Sequence, residues 1–359
     1  MKNVKDMKIA VLLSGGVDSS VALCLLKQQG YRDLTAFYIK IWLEDELAFL
    51  GDCPWEADLK YARAVCEQLD VPLEVISLQQ AYYDRVVAHA LRELRAGRTP
   101  SPDILCNQRI KFGAFFDKID SRYEKIASGH YAWIEQRNGR YWLLRAPDPV
   151  KDQTYFLSYL NQDQLSRALF PIGRYTKKEV RRLAHKFDLP TKDRPDSQGI
   201  CFLGRIKYPD FVKANLGENP GDIVDIESGR VIGQHRGYWF YTIGQRQGLK
   251  LSGGPWYVVN KDAGRNILYV THREHIRKYY RKQLTVTDVN WISGVPKSTH
   301  LKVKLRHGPQ MQECHVQIQP NGAVHLQLSE GDKGAAPGQY AVFYDGDICL
   351  GGGVIAALQ

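Results

Sequence analysis

The feature that most constrains the fold is a short apolar run followed at once by a glycine loop and an amphipathic stretch. Lys8–Leu13 is predicted to be a buried strand, Ser14–Ser20 a loop and Ser19–Gln29 a helix. A strand that leads through glycines into a helix is typical of nucleotide-binding units in parallel α/β sheets. The chain is therefore expected to build its first domain around such a sheet.

The alternation of strands and helices continues to about residue 205. Further strands are predicted at Thr35–Trp42, Leu73–Leu78 and Lys125–Ser128, and helices at Ala57–Leu69, Tyr82–Arg95 and Ile104–Ile119. A hairpin is expected at Trp133–Leu144 with its turn at Asn138-Gly139, and Thr176 with Glu179 predicts a capping box for a basic helix. This order implies a doubly wound parallel sheet.

The pattern changes after Phe202, where glycine, proline and aromatic residues become frequent and helical periodicity fades. Strand-like runs flank turns between Asp222 and Thr271, and six short runs between Leu284 and Ala356 predict a small antiparallel β-barrel. The predicted domains are a catalytic α/β domain over 1–205, a small central domain over 206–280 and the barrel over 281–359.

The charge balance favours a polyanionic partner. The chain has 49 Lys and Arg against 39 Asp and Glu, a net charge of +10 and a pI of about 9.1. Residues 265–315 hold ten basic and three acidic residues, with Tyr279, Tyr280 and Trp291 among them. This stretch is interpreted either as a solvated face or as an RNA surface, and the aromatic residues favour the second.

The cysteine pattern indicates a reducing compartment. Seven cysteines are too few for a disulfide scaffold, and no C-x-x-C pair suggests a structural zinc. The N-terminus contains no apolar run long enough for a signal sequence or a membrane span. We therefore expect a cytoplasmic protein.

The loop Ser14–Ser20 has the composition of a phosphate cradle. Its glycines allow successive N–H groups to face one anion at the start of a helix, and hydroxyls at Ser14, Ser19 and Ser20 are further candidate donors. It lacks the lysine of a Walker A loop and the G-x-G-x-x-G spacing of dinucleotide sites. Asp18 could hold Mg²⁺ or cap the helix, and a plain glycine turn is the alternative interpretation.

Two cysteines stand in contexts that favour reactivity. Cys106 follows Pro102 and Asp103, which look like a helix start, so Asp103 and Cys106 would lie one turn apart near a helix N-terminus. Cys201 lies in a polar, glycine-containing segment that is predicted to be a loop. The residues alone leave open that both are only packing residues. The other cysteines are predicted to be structural: Cys24, Cys53, Cys66, Cys314 and Cys349.

Six motifs, in this order along the chain, resemble the tRNA-specific 2-thiouridylase family of the ATP-pyrophosphatase superfamily. They are Ser14–Ser20, Ser101–Cys106, Ser128–Tyr131, Lys151–Gln153, Ser197–Phe202 and Tyr241–Arg246. The resemblance implies an ATP-pyrophosphatase domain, a small central domain and a C-terminal β-barrel. It also implies ATP-dependent adenylation of O2 of the wobble uridine, position 34, in tRNAs for Lys, Glu and Gln, then sulfur transfer to C2 with release of AMP and pyrophosphate.

The resemblance also implies roles for individual residues. Cys201 would carry a persulfide received from a cysteine desulfurase or relay protein, and Cys106 would be the nucleophile that resolves it. The sulfur would attack C2 directly from the persulfide, or as sulfide released when Cys106 forms a disulfide with Cys201. Asp103 would be an acid/base or base-contacting group. The residues implied to bind ATP, with Mg²⁺, are Leu12, Leu13, Ser14, Gly15, Gly16, Val17, Asp18, Ser19, Ile39 and Gly129. The residues implied to contact tRNA are Ser101, Pro102, Asp103, His130, Lys151, Asp152, Gln153, Arg306, His307 and Gln339. No metal ligand set is implied.

The sequence departs from the family pattern at three places. Ser101 stands where the family usually has Asn, Ile39 where it often has Met, and His307 where it has Tyr. A serine keeps a hydrogen-bonding group and an imidazole can still stack on a base, so we expect the activity to be kept.

Two alternatives from other classes remain at this point. An ATP-dependent amide synthetase acting on a small carboxylate would explain Ser14–Ser20 but not the cysteine pair or the basic C-terminal half. A noncatalytic RNA-binding protein with a nucleotide sensor would release no pyrophosphate. The thiouridylase interpretation requires Cys106 and Cys201 to approach each other, which predicts a mobile segment around Pro195–Phe202.

Overall fold

The computed structural model describes residues 4–41, 55–196 and 207–358. Up to residue 196, strands alternate with helices. The strands β1–β7 are Ile9–Leu12, Leu34–Lys40, Leu73–Ser77, Lys125–Ala127, Ala132–Arg137, Arg140–Arg145 and Ala168–Leu169. The helices α1–α9 are Val17–Gln28, Trp55–Leu69, Gln79–Tyr82, Ala88–Arg95, Pro102–Leu105, Phe115–Lys118, Thr154–Leu157, Gln162–Arg167 and Lys177–Lys186.

Five of these strands form a parallel sheet in the order β3-β2-β1-β4-β7. The central strand β1 is buried on both faces, because Ile9 and Val11 pack with residues of α1 and α2, whereas Ala10 and Leu12 pack with residues of α4 and of the chain around Cys106. Helices thus cover both sides of the sheet. The predicted doubly wound α/β domain is confirmed, although Trp42, at the end of the second predicted strand, lies outside the described residues.

Local signals in this domain fold as expected. The hairpin β5–β6 turns at Asn138 and Gly139, whose φ angles of +49° and +76° are those of a tight turn that asparagine and glycine favour. Thr176 and Glu179 form the predicted capping box of α9.

Two of the predicted helices contain stretches that are not α-helical. The stretches Tyr83–Val87, between α3 and α4, and Cys106–Ala114, between α5 and α6, are π-helical. In the second stretch, a Cβ on Gly113 would lie 2.8 Å from the carbonyl oxygen of Gln108, and the amide of Gln164 donates to the carbonyls of Gln108 and Phe112. The missing side chain of Gly113 and the hydrogen bonds from Gln164 of α8 therefore accommodate the wider turn. Hydrophobic periodicity reveals neither feature.

A small mixed sheet follows α10, Tyr208–Leu216. Its strands β8–β11 are Gly221–Asp225, Val231–His235, Trp256–Asp262 and Ile267–His272. Their order is β10-β11-β8-β9, with β11 and β8 parallel. Short 3₁₀ turns lie at Val4–Asp6, Tyr238–Phe240 and Ile276–Tyr279.

The C-terminal strands form the predicted antiparallel barrel. Strands β12–β17 are Arg281–Trp291, His300–Lys304, Gln312–Ile318, Val324–Asp332, Tyr340–Asp345 and Ile348–Leu358. Pairing of β12 with both β15 and β17 closes the ring. The sequence did not predict that the hairpin of the first domain joins this sheet, where Leu143 and Leu144 of β6 pair with Cys349 and Ile348 of β17.

The hydrophobic core is continuous between the first domain and the barrel. Tyr340, Val342 and Tyr344 of β16 pack in the same buried cluster as Leu12 and Cys106. Side chains from the first domain and from the barrel share one interior. The domain boundaries at 205/206 and 280/281 therefore stay predictions. No helix among the described residues is long and apolar enough to cross a bilayer.

Candidate active site

The glycine loop joins the carboxyl end of β1 to the first turn of α1. Gly15 has a φ of +73°, and a Cβ on it would lie 2.2 Å from the carbonyl oxygen of Asp58 in α2. Gly16 is the N-cap, and the first bond within the helix runs from the N–H of Ser20 to the carbonyl of Gly16. The N–H groups of the preceding residues have no partner within the helix and are the donors that an anion needs.

The serine hydroxyls hold this loop in shape. The Ser14 N–H donates to Ser19 Oγ at 3.2 Å, and Ser19 Oγ donates to the Gly16 carbonyl at 3.1 Å. The expectation that the hydroxyls of Ser19 and Ser20 are offered to phosphate is wrong, because both side chains are buried and both donate to the Gly16 carbonyl, that of Ser20 at 2.8 Å. Ser14, in contrast, is exposed at the carboxyl edge of the sheet.

Two other predicted nucleotide residues reach the same edge. Gly129 follows β4, and a Cβ on it would lie 2.7 Å from the Ser19 nitrogen and 2.8 Å from the Asp18 carbonyl carbon. Ile39 lies half-buried near the end of β2. Because β2, β1 and β4 are adjacent and parallel, their carboxyl ends meet where ligands bind in open α/β sheets. Gly129 therefore lies directly against the backbone at the start of α1, where any side chain would collide with Asp18 and Ser19.

Asp18 has two partners that come from distant parts of the chain. The Tyr131 hydroxyl donates to its Oδ1 at 2.7 Å, and Lys177 Nζ lies 2.7 Å from the same atom. Burial and the nearby Asp18 carboxylate raise the pKa of Tyr131 well above its ordinary value, so the phenol stays protonated and donates. A magnesium ion at Asp18 would have to share this carboxylate with Lys177.

No cluster of three or more His, Cys, Asp or Glu side chains suited to a metal occurs in the described part of the chain. A magnesium ion at this loop would therefore take most of its ligands from water and phosphate oxygens, which is its usual behaviour in nucleotide sites.

A cluster of charged side chains lies beside the loop, and of its members other than Asp18 the sequence singled out only Lys151, which it predicted to contact tRNA. Asp196 lies 2.6 Å from Lys151, 2.8 Å from Lys177 and 2.5 Å from Arg181. Burial alone would raise the pKa of Asp196, but the hydrogen bonds from these three cations outweigh it and hold the pKa well below its usual range. Arg194 donates to the Gly15 carbonyl.

A weak local signal for this cluster exists in the sequence. Lys177 is the first residue of α9. A cation at this position is unfavourable, because the N-terminus of a helix already carries a partial positive charge. A lysine at this unfavourable position indicates that its charge interacts with a group outside the helix. No local sequence signal identifies Arg181 or Arg194. Arg181 contacts Asp196, and Arg194 contacts the Gly15 carbonyl, only in the folded protein.

Cys106 is buried beside the sheet. As predicted, the helix begins at Pro102, with Ser101 as N-cap and Asp103 in the first turn. Cys106 is the C-cap of this short helix and the first residue of the π-helical stretch, a deviation that often marks functional sites. Its side chain packs in the cluster that includes Leu12 at the end of β1.

Cys201 lies outside the described residues, as do Cys53 and most of the segment Pro195–Phe202. The approach of Cys201 to Cys106 and the predicted mobility of that segment stay predictions. The remaining cysteines are buried, as expected for packing residues. Burial raises the pKa to about 11 for Cys24 and Cys66 and to about 12 for Cys314 and Cys349.

A chain of contacts connects the nucleotide loop to the neighbourhood of Cys106. The side chain of Gln153 accepts from the N–H of Tyr131 at 2.9 Å, and the Phe156 N–H donates to the Gln153 carbonyl. The Asn107 amide donates to the Phe156 carbonyl at 3.2 Å, and the ring of His307 stacks on Phe156 with centroids 4.6 Å apart. Gln153, His307 and the segment around Cys106 thus share one region.

Two residues predicted to contact tRNA have buried side chains. His130 Nδ1 lies 2.7 Å from Ser128 Oγ, and burial beside the positive charge of Lys111 lowers the pKa of His130 well below its ordinary value. The Asp152 carboxylate is paired with Lys304 and Arg145. Direct contacts of the His130 and Asp152 side chains with tRNA stay predictions. Such contacts require the chain around each residue to open.

Three further residues predicted to contact tRNA are Ser101, Gln339 and Arg306. The N–H of Thr99, near Ser101, donates to the Pro337 carbonyl, close to Gln339. The buried Oε1 of Gln339 has no hydrogen-bond partner among the described residues. Arg306 pairs with Asp332 on the barrel, and its side chain is about half exposed.

The basic stretch 265–315 is less positive at the surface than its composition suggests. Lys304 is fully buried, so its assignment to an RNA surface is wrong. Lys278 pairs with Glu227 at 2.8 Å, and Tyr279 donates to the same carboxylate. Lys282 is exposed.

Fold and site together define a nucleotide-binding α/β domain followed by two β domains. A family model described as the tRNA methyl transferase HUP domain matches residues 7–205. Models described as the tRNA methyl transferase PRC-barrel domain and the aminomethyltransferase beta-barrel domain match 209–272 and 281–355.

Curated relatives agree over nearly the whole chain. A tRNA-specific 2-thiouridylase MnmA of Parabacteroides distasonis is 44% identical over 97% of this chain and 99% of its own length. Another from Porphyromonas gingivalis is 43% identical with the same coverage. The chain therefore belongs to the tRNA-specific 2-thiouridylase family. A solved U34-tRNA thiolase NcsA of Methanococcus maripaludis is more distant, with 15% identity, a TM-score of 0.35 and coverage of 54% of this chain and 62% of that one.

Proposed function

We propose that this chain uses ATP to replace O2 of the wobble uridine, position 34, with sulfur in tRNAs for Lys, Glu and Gln. Its membership of the 2-thiouridylase family supports the substrate class. The observation that carries the ATP-dependent step is the contact of Gly129 with the backbone of Asp18 and Ser19 at the start of α1. A loop built this tightly around free N–H donors is suited to a pyrophosphate group.

Uridine O2 is a poor leaving group, so sulfur cannot displace it directly. ATP supplies the activation by transferring AMP to O2, with pyrophosphate as the other product. The chain contributes position and charge: N–H groups of Gly16–Ser19 face the phosphates, and Asp18 is the candidate Mg²⁺ ligand. Asp103, in the first turn of α5, is the candidate group to accept the N3 proton that the base loses.

The sulfur step is assigned to the two cysteines. The terminal sulfur of a persulfide on Cys201 attacks C2, and the C2–O2 bond breaks as AMP leaves. The Cys106 thiolate then attacks Sγ of Cys201, and the persulfide S–S bond breaks with its electron pair on the sulfur now bound to C2. The products are 2-thiouridine and a Cys106–Cys201 disulfide, which a thiol reductant must return to two thiols.

The persulfide donor is proposed to be a cysteine desulfurase or a relay protein, and the cytoplasm is the proposed compartment because both cysteines must be reduced after each turnover. The target base must leave the anticodon stack to reach a buried thiol. Bases of single-stranded loops are the least costly to extrude, which favours the anticodon loop as the substrate region.

One assay tests this proposal. The protein is incubated with ATP, Mg²⁺, a sulfide or persulfide source, and either tRNA or small carboxylates, and both pyrophosphate and 2-thiouridine are measured. We expect both products with tRNA only, and loss of 2-thiouridine in Cys106→Ala and Cys201→Ala but not in Cys24→Ala. Pyrophosphate formed with a carboxylate would indicate an amide synthetase, and no pyrophosphate at all would indicate a nucleotide sensor.

A further inference from the structure

The nucleotide loop lacks a lysine of its own, yet a lysine from a distant helix reaches it. Lys177 Nζ lies 2.7 Å from Asp18 Oδ1, in the first turn of α1, and 2.8 Å from Asp196 Oδ1. In P-loop enzymes, a lysine within the loop neutralises the phosphates. Here Ser14–Ser20 contains none, so a lysine that neutralises a triphosphate together with Mg²⁺ must come from elsewhere in the chain.

Lys177 is held in place at this position. It follows Thr176, whose side chain and that of Glu179 cap α9, and its own N–H donates to Asp148 Oδ2 at 3.1 Å. Only 14% of its side chain is exposed, and its ammonium lies 5.9 Å from the centre of the Tyr131 ring. A cation fixed in this way loses little conformational freedom when an anion binds.

The ion pairs of Lys177 can be exchanged without leaving either carboxylate unpaired. Asp196 also contacts Arg181 at 2.5 Å and Lys151 at 2.6 Å, so it keeps two cations if Lys177 turns to another anion. Asp18 likewise keeps its hydrogen bond from Tyr131. Both carboxylates are partly exposed and keep other partners, so the lysine can turn to an anion at little cost.

We propose that Lys177 is the cation that binds the phosphates at this loop, and that Asp196 is the internal counter-ion that it leaves when they bind. Lys177 thus takes the place of the lysine that a Walker A loop carries within its own sequence. This inference rests on the proposed function, because it assumes that the loop Ser14–Ser20 binds ATP.

The test is equilibrium binding of ATP, inorganic pyrophosphate and adenosine to the full chain in magnesium buffer, by calorimetry. For Lys177→Met we expect at least tenfold weaker binding of ATP and pyrophosphate and adenosine binding within twofold of wild type. Lys177→Arg is expected to recover part of the loss. Lys178→Met, the exposed neighbour on the same helix, is the matched control and should bind all three ligands normally.

Asp196→Asn tests the counter-ion. With its negative charge removed, Lys177 is more available, so ATP and pyrophosphate should bind several-fold more tightly. Unchanged or weaker binding of these ligands would overturn that half of the proposal. Normal pyrophosphate binding by Lys177→Met, or an equal loss of adenosine binding, would overturn the role of Lys177. A wild-type protein that binds no ATP would instead contradict the proposed function.

Discussion

Lys304 Nζ lies 2.8 Å from the Asp152 carboxylate, and neither side chain is exposed to solvent. Lys304 ends β13 of the barrel, whereas Asp152 belongs to the segment 151–153 that is predicted to meet tRNA. Asp152 Oδ2 also accepts from Arg145 at 3.2 Å, and its Oδ1 accepts from the Thr154 hydroxyl. The barrel therefore fixes the position of this segment from inside the protein.

Breaking this pair should destabilise the whole chain. Lys304→Met leaves a carboxylate buried with one cation fewer, and we expect the free energy of unfolding to fall by about 3–5 kcal/mol. Denaturant unfolding measures it. Lys302→Met, on the same strand and exposed beside Glu313, is the control and should cost less than about 1 kcal/mol. An equal effect of the two substitutions would contradict the role assigned to the buried pair.

A methyl group at Gly129 should disturb the nucleotide loop. The added Cβ would meet backbone atoms of Asp18 and Ser19, which cannot turn away as a side chain can. We expect Gly129→Ala to weaken ATP binding by about tenfold, which is about 1.4 kcal/mol and lies within the range of about 1–3 kcal/mol usual for overpacking. Gly264→Ala, whose Cβ would meet only Asp262 Oδ1 at 3.5 Å, should bind ATP normally. Normal binding by Gly129→Ala would show that the loop tolerates the displacement.

His130 should make stability depend on pH. Since burial lowers the pKa of His130 in the folded protein, the unfolded chain takes up this proton first, and stability is lost as pH falls below about 6.5. Between pH 7.5 and 5.5, wild type should lose about 1 kcal/mol more of unfolding free energy than His130→Gln. The exposed His325→Gln should keep the wild-type pH dependence, and an unchanged slope in His130→Gln would refute this prediction.

The surface around β12 should contribute to tRNA affinity through charge. Replacing Lys278, Arg281 and Lys282 by Gln should weaken tRNA binding and reduce the slope of log K against log salt by up to about 2, at about 0.7 per phosphate of a single strand. A triple change at Lys27, Lys60 and Arg63 removes the same charge from α1 and α2. If both triple variants had the same effect, net charge rather than this surface would attract tRNA.

The sequence predicted those features whose signals are local. The strand, loop and helix around Ser14–Ser20, the turn at Asn138-Gly139 and the capping box at Thr176 each depend on a few neighbouring residues. The six strands of the barrel were also predictable, because short strands separated by turns leave a regular pattern. The observed strand ends differ from the predicted ones by up to four residues.

Long-range contacts explain most of what was missed. Lys177 reaches Asp18 across 159 residues, and Lys304 reaches Asp152 across 152. A lysine in an alternating strand is normally expected to face solvent, so Lys304 was counted as surface charge. Only the fold shows that an aspartate from another domain lies opposite it. The predicted roles of Cys201 and of the tRNA-contacting residues depend on the same kind of information and stay predictions.

The pairing of β6 with β17 also affects how the chain can be made. On the ribosome, the hairpin β5–β6 emerges long before the strand that covers its outer edge. An uncovered strand edge is a template for association with other chains. Until β17 has been translated, the nascent catalytic domain carries such an edge, so synthesis of the barrel both completes the fold and removes a site of aggregation.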